Sequence, residues 1–205
     1  MSNIIITLFL LAITAGVVIV YVLKYKPQKH RSNIKELYSE GLDMIINGNR
    51  RGAYQNFKSI IEKDTNNINA YLRLGQVVRE GGNPDHALKI HRGLNLRKGL
   101  THYEQVELYK NLSLDHYKGG NLENAVEQSR KILKIEKSSE WALSHLVKYF
   151  REMKDWSQAG EYLEILQRIT QKPDIRKLAL FKIQEGSVFA KNGDLTNGKT
   201  LIVLI

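Results

Sequence analysis

The chain has 205 residues, 42% of them hydrophobic, and carries 31 Lys plus Arg against 21 Asp plus Glu, a net charge of +10. With no cysteine it holds neither disulfides nor thiolate metal sites, which is compatible with a reducing compartment. A pI near 9.6 raises nucleic acid as a partner, yet half of the excess is Lys24, Lys26, Lys29, Arg31 and Lys35. The remainder is only mildly basic and shows no basic stripe interleaved with stacking aromatics, so nucleic acid is set aside.

Residues 4–23, IIITLFLLAITAGVVIVYVL, are uncharged and mostly apolar. As a helix they are long enough to cross about 30 Å of hydrocarbon. A cleaved secretory signal would need basic residues ahead of a shorter apolar core, and Met1-Ser2-Asn3 has none. Residues 1–23 are therefore expected to be a transmembrane anchor, and 24–33 a basic juxtamembrane linker. By the positive-inside rule the basic flank holds the N-terminus on the periplasmic side and the rest in the cytoplasm. Each flank cation adds about 1 kcal/mol of attraction to anionic lipid. Tyr21 and Tyr25 suit the headgroup level, and Pro27 interrupts the helix.

From residue 34 onward the chain is punctuated five times by a turn pair followed by a very small residue: Gly48-Asn49 then Ala53, Gly82-Asn83 then Ala87, Gly120-Asn121 then Ala125, Lys154-Asp155 then Ala159, Gly193-Asp194 then Gly198. Glycine accepts the left-handed backbone that closes a helix, Asn or Asp caps the next one, and the small residue lets the two helices touch. Successive small residues are 34, 38, 34 and 39 apart. A unit of that length, repeated, is the tetratricopeptide pattern of stacked helix pairs. The predicted fold is all-α, an N-terminal membrane helix followed by a solenoid over 34–205. Its repeats are 34–67, 68–101, 102–139, 140–173 and an incomplete 174–205.

The repeats can be read position by position. Tyr71, Leu74-Gly75 and Val78, then Ala87, His91 and Leu94, resemble the consensus W-x2-L-G-x2-Y followed by A-x3-F. The first repeat carries Leu37, Gly41, Met44, Ala53, Phe57 and Ile60, with Glu40 where Leu is expected. The third has Tyr109, Leu112, His116, Ala125 and Ile132, with Ser113 in place of the crossing glycine. The fourth has Leu143, Leu146, Phe150, Ala159, Leu163 and Leu166. Gly41, Gly75 and Gly186 fall at the close helix crossing. The fifth repeat sets Lys182 and Glu185 at core places, and its final run Leu201 to Ile205 is apolar all round. Solenoids end in a polar cap, so this end reads as a fragment, an early stop or a partner-dependent terminus.

The register points Leu72, Gln76, Arg79, Lys110, Leu114, Tyr117, Ser144, Lys148 and Arg151 toward the face made by the first helices. Arg, Lys and Tyr together suit an acidic, partly apolar protein partner, against the plainer reading of a solvated face. Catalysis has little support. The six histidines are scattered without an H-E-x-x-H, and His91 and His116 sit at core places, where a packed, hydrogen-bonded ring is expected. Gly81-Gly82-Asn83 and Gly119-Gly120-Asn121 lack the Lys-Ser or Lys-Thr of a phosphate loop. Glu161 and Glu164 share a second helix and most simply face water.

A span at the N-terminus, a basic flank and then helical repeats resemble the lipopolysaccharide assembly protein B family. The local matches are Ala53 to Phe57, Lys63-Asp64, Leu72 with Leu74-Gly75, Ala87 with Ile90-His91-Arg92 and Leu94, Leu100-Thr101 with Glu104-Gln105, Leu112 with Asp115, and Trp156 with Ala159. They extend over about residues 1–198. The resemblance implies an inner-membrane adaptor that regulates lipopolysaccharide synthesis by presenting a lipid A biosynthetic deacetylase to a membrane AAA+ protease. Family members continue to a rubredoxin-like module with two C-x-x-C pairs. This chain has no cysteine, so no metal or other cofactor is expected in it. The alternative is a repeat module of another inner-membrane assembly, in export or envelope biogenesis.

Overall fold

The structure is a computed structural model that describes Leu11, residues 13–18 and residues 33–193. Leu11 and residues 13–18 are helical, and no helix among the described residues is long and apolar enough to cross a membrane. The rest of the expected anchor, Lys24, Lys26, Lys29 and Arg31 of the linker, and the end of the fifth repeat with Gly198 and Leu201 to Ile205 lie outside the described residues.

From residue 33 the chain is a succession of helices: α1 Ile34–Ile46, α2 Arg50–Lys63, α3 Ile68–Glu80, α4 Pro84–Asn95, α5 His102–Lys118, α6 Leu122–Ile135, α7 Glu140–Glu152, α8 Trp156–Thr170 and α9 Ile175–Lys191. No strand occurs among the described residues. Each helix packs against the next, and α3 also touches α5 across one face. That is the connectivity of stacked helical hairpins.

The turns work as the residue types require. The side chains of Asn49, Asn83, Asn121 and Asp155 each accept from the backbone N–H three residues on, at 2.9–3.1 Å, satisfying an amide the helix start leaves unpaired. Before them Gly48, Gly82 and Gly120 take φ of +73°, +90° and +79°. Lys154 holds the same place at φ 62°, where a Cβ costs about 1–2 kcal/mol. Two further joints are closed by capping boxes, Asn33 with Glu36 and Thr101 with Glu104.

Close packing at the crossings explains the small residues. Ala53, Ala87, Ala125 and Ala159 are all 0% exposed. A Cβ added at Gly41 would come within 2.8 Å of the Phe57 ring, and one at Gly75 would run into the His91 ring. The third crossing uses Ser113 differently. Its hydroxyl donates to the Ala125 carbonyl at 3.0 Å and meets Ser129 Oγ at 2.9 Å and Tyr149 Oη at 3.0 Å, so a polar side chain is buried without an unpaired atom. Glu40, the misfit of the first repeat, is exposed and accepts from Asn56 Nδ2 at 3.3 Å. In α9 the buried residues are Phe181 and Gly186, while Lys182 and Glu185 are half-buried on either side. Phe181 thus supplies the apolar contact that the consensus position lacks.

The core runs as a series of clusters, each shared by neighbouring hairpins. Leu37, Phe57, Ile60 and Leu74 make the first, Leu72, Leu94, Leu108 and Leu112 the next. Val106, Ile132 and Ala142 follow, and then Leu146, Phe150, Leu163 and Phe181. Between the second and third repeats lies an ionic joint. Asp115, 1% exposed, receives Arg79 Nη1 at 2.8 Å through one oxygen and His91 Nδ1 at 2.5 Å through the other. The same guanidinium reaches Asn111 Oδ1 at 3.1 Å, and His91 Nε2 lies 3.2 Å from the Leu72 carbonyl. Both ring nitrogens of His91 thus lie beside oxygen atoms.

Three stability measurements by urea unfolding follow from this packing. Ala125→Leu is expected to overpack the α5–α6 crossing and cost about 1–3 kcal/mol; an unchanged midpoint would show the register to be wrong. Asp115→Asn leaves Arg79 buried without its counter-charge and should cost about 3–5 kcal/mol. Lys154→Gly should stabilise by up to about 1 kcal/mol, because relief of the left-handed strain exceeds the added freedom of the unfolded chain.

Candidate protein-interaction face

The first helix of each hairpin contributes to one long face, and the sequence-predicted residues separate there into two sets. Leu72 and Arg79 are not available to a partner. Leu72 is packed in the cluster with Leu94 and Leu108, and Arg79 is buried against Asp115. The alternation that points a side chain inward also brings it against the next first helix, and α5 covers both residues. Gln76 is half-buried and occupied locally, accepting from Arg73 Nη1 at 2.8 Å and donating to Glu80 at 2.9 Å.

The other set lies on α5 and α7. Lys110 is half-buried, paired with Glu107 at 2.8 Å and 5.9 Å from the centre of the Trp141 ring. Leu114 is half-buried beside it. Tyr117 stacks on Tyr149 with centroids 5.1 Å apart and donates to Glu152 at 2.8 Å. Lys148, exposed, sits 4.1 Å over the Tyr117 ring. Arg151 is exposed, and so is Ser144, whose hydroxyl donates to the Trp141 carbonyl at 2.9 Å. Lys35 is exposed at the start of α1, its backbone N–H bound to Asn33 Oδ1 at 3.2 Å.

Sequence reasoning did not single out Trp141, His145 and Tyr149. They stand four residues apart on α7 and therefore share one side of the helix. Trp141 stacks on His145 at 3.8 Å, His145 meets Tyr149 edge-on at 5.8 Å, and Tyr149 passes the stack to Tyr117 on α5. His145 Nδ1 donates to the Trp141 carbonyl at 2.8 Å. Burial lowers the pKa of His145, with Lys148 adding to the effect and the bond to Trp141 opposing it. Burial also lowers His116, reinforced by Arg92, and pushes the Tyr149 phenol up to about 12. Neutral rings backed by cations give this face an aromatic floor with a positive rim.

Elsewhere, Glu161 and Glu164 are exposed on α8, and Gly82 and Gly120 form hairpin turns. His91 and His116 are buried, with His91 in the ionic joint.

No protein-family model matches the chain. Lipopolysaccharide assembly protein B of Escherichia coli is 22% identical over 175 residues, covering 85% of this chain and 45% of that protein. The chain thus spans about half the length of the curated relatives it matches. Among solved structures, the crystal structure of MamA protein superposes with a TM-score of 0.60 at 16% identity, covering 82% of this chain and 87% of that one. A tetratricopeptide repeat protein from Parabacteroides merdae gives a TM-score of 0.61 at 16% identity, covering 83% and 66% respectively. These likenesses show the fold, an all-helical tetratricopeptide-like solenoid.

The two lowered histidines set a pH dependence. In the unfolded chain they take up protons below about pH 6.5, whereas folding favours their neutral rings. Their contribution is complete above that pH and is lost as pH falls toward their folded values. The thermal midpoint is expected to drop between about pH 7.5 and about pH 5.5, and His145→Gln to reduce that drop. An equal drop in the variant would refute the assignment.

Proposed function

We propose that the chain is a membrane-anchored cytoplasmic adaptor whose repeat array presents its α5–α7 face to protein partners, and that it regulates lipopolysaccharide synthesis by bringing a biosynthetic deacetylase to a membrane AAA+ protease. The observation that carries the adaptor reading is the inner face itself. Lys110 lies over Trp141 and Lys148 over Tyr117, with Arg151 exposed on α7, the aromatic and cationic composition of protein-binding hot spots. The link to lipopolysaccharide rests on the relative aligned over most of this chain. The anchor rests on the apolar run 4–23 and its basic flank. The composition of the face suits the binding and positioning of a partner.

Two experiments bear on this. A reporter fused at Ile205 should report the cytoplasm; a periplasmic signal would remove both the protease link and the role in lipopolysaccharide synthesis taken from the relative. In the full-length chain, Lys110→Glu with Lys148→Glu should weaken co-purification with the deacetylase by at least about tenfold, a loss of about 1.4 kcal/mol or more. Retention at the wild-type level would exclude this face.

A further inference from the structure

Because successive helices run in opposite directions, the starts of α1, α3 and α5 share one edge of the array, the edge at which the chain enters α1. Contacts make that edge continuous. Ile34, Lys35 and Tyr38 of α1 face Asn67 and Asn69 at the start of α3 across a pocket of about 260 Å³. Farther along, Arg97 Nη1 donates to the Thr65 carbonyl at 2.9 Å, and its guanidinium lies 4.5 Å from the centre of the Tyr71 ring, which ties the α4–α5 joint to the α2–α3 joint. The α4–α5 joint exposes apolar bulk. Leu96 is 85% exposed and Tyr103 65%, on the two sides of a turn in which Gly99 takes φ +83°. Gln105 Nε2 donates to the Leu100 carbonyl at 2.9 Å, and the Thr101–Glu104 capping box fixes the start of α5, so both side chains stand on a braced loop. Of the large apolar side chains exposed at a helix's first or last residue among the described residues, Ile175 shares this edge and Ile46 stands on the opposite one.

We propose that this edge rests on the bilayer that holds the chain's own apolar run 4–23, with Leu96 and Tyr103 entering the headgroup region. The proposal rests on the anchor reading and adds to it a docked orientation of the array. Tethering selects the occupant. The ten residues 24–33 reach at most about 35 Å when fully extended, so an anchored chain never carries α1 farther than that from the membrane. A patch of two side chains is far smaller than the interface a free partner needs, but a tether makes the encounter intramolecular and raises the effective concentration to about the millimolar range. The residue types fit a lipid interface. Tyrosine has an apolar ring and a polar tip suited to the headgroup level, and leucine adds apolar burial with no polar group to desolvate. Charge permits the contact. Arg97 and Lys98 outnumber Glu104 across 96–104, Lys35 and Glu36 cancel in the first turn of α1, and Asp64 of the α2–α3 joint is held by the Asn66 N–H at 3.0 Å and Asn67 Nδ2 at 3.3 Å. The excess comes from the linker, which has Lys24, Lys26, Lys29 and Arg31 and no acid within 24–33, so anionic lipid strengthens the contact. Docked on its helix starts, the array stands with its helices pointing away from the bilayer and leaves the α5–α7 face open at the side.

The test uses the full chain in lipid nanodiscs of phosphatidylcholine and phosphatidylglycerol in equal parts. The chain has no cysteine, so Asn66→Cys, Asn47→Cys and Val17→Cys variants each take a nitrobenzoxadiazole label at one place. Asn66 is exposed in the α2–α3 joint, and Asn47 is exposed at the far end of α1, about 20 Å away along that 13-residue helix. Quenching is read with nitroxide lipids, spin-labelled at the headgroup for residues 66 and 47 and along the acyl chain for residue 17. The label at 66 is expected to be quenched at least about twofold more than the label at 47, and Leu96→Ser with Tyr103→Ser to bring it down to the level at 47. Both replaced side chains are exposed, so the double variant keeps its packing, which far-UV circular dichroism checks. Equal quenching at 66 and 47, or quenching at 66 that the double variant leaves unchanged, would overturn the proposal. The label at 17 separates the two readings. If it is not quenched, the anchor falls and the docked array with it; if it is quenched while 66 and 47 agree, the anchor survives and the edge is left to a soluble partner.

Discussion

A two-helix hairpin can hide only one apolar stripe between its helices. The other sides of Leu74, Leu112, Leu146 and Phe181 must be covered by a neighbouring hairpin, and this requirement sets the architecture. It is met only if helices approach closely, so the crossings carry Ala53, Ala87, Ala125 and Ala159, each fully buried. Where the opposing position needs bulk, the chain supplies Phe57 against Gly41 and His91 against Gly75. The small and large partners are matched pairs, and their matching holds each hairpin in register with the next.

The second joint departs from purely apolar packing. Arg79, His91 and Asp115 come from α3, α4 and α5, and their contacts are directional where those of leucines are not. A buried ion pair adds little net stability once desolvation is counted, but it penalises any arrangement that separates its members. Asn111 and the Leu72 carbonyl complete the set, and no buried side-chain polar atom among the described residues lacks a partner. The joint therefore orients α5 on α3, and with it the Tyr117 and Lys110 side chains that enter the inner face.

That face changes character along the array. At the second repeat it is closed, because α3 and α5 touch and their charged groups are spent on each other. Between α5 and α7 it becomes an aromatic ladder with lysines on its edges, and between α7 and α9 it opens into a cleft. One repeat pattern thus yields a locked joint, a stack of aromatic rings and a recess, according to which side chains stand at equivalent positions.

Much of this was legible in the residues alone. Turn pairs, caps and small crossing residues act through their own backbone and nearest turns, so Asn83, Gly82 and Ala87 declare a hairpin without knowledge of the rest. The burial of His91 was also readable, because its place in the repeat is a core place. Its partners were not. Asp115 lies 24 residues away and Arg79 12 the other way, and only stacking brings them to one point. For the same reason Leu72 and Arg79, inward by register, proved to be covered by α5, while the continuation of the Trp141–His145–Tyr149 stack onto Tyr117 became visible only once α5 lay beside α7. Local chemistry determined the helices and their turns; the spacing between hairpins, which depends on side chains meeting across joints, decided what is locked and what is open to a partner.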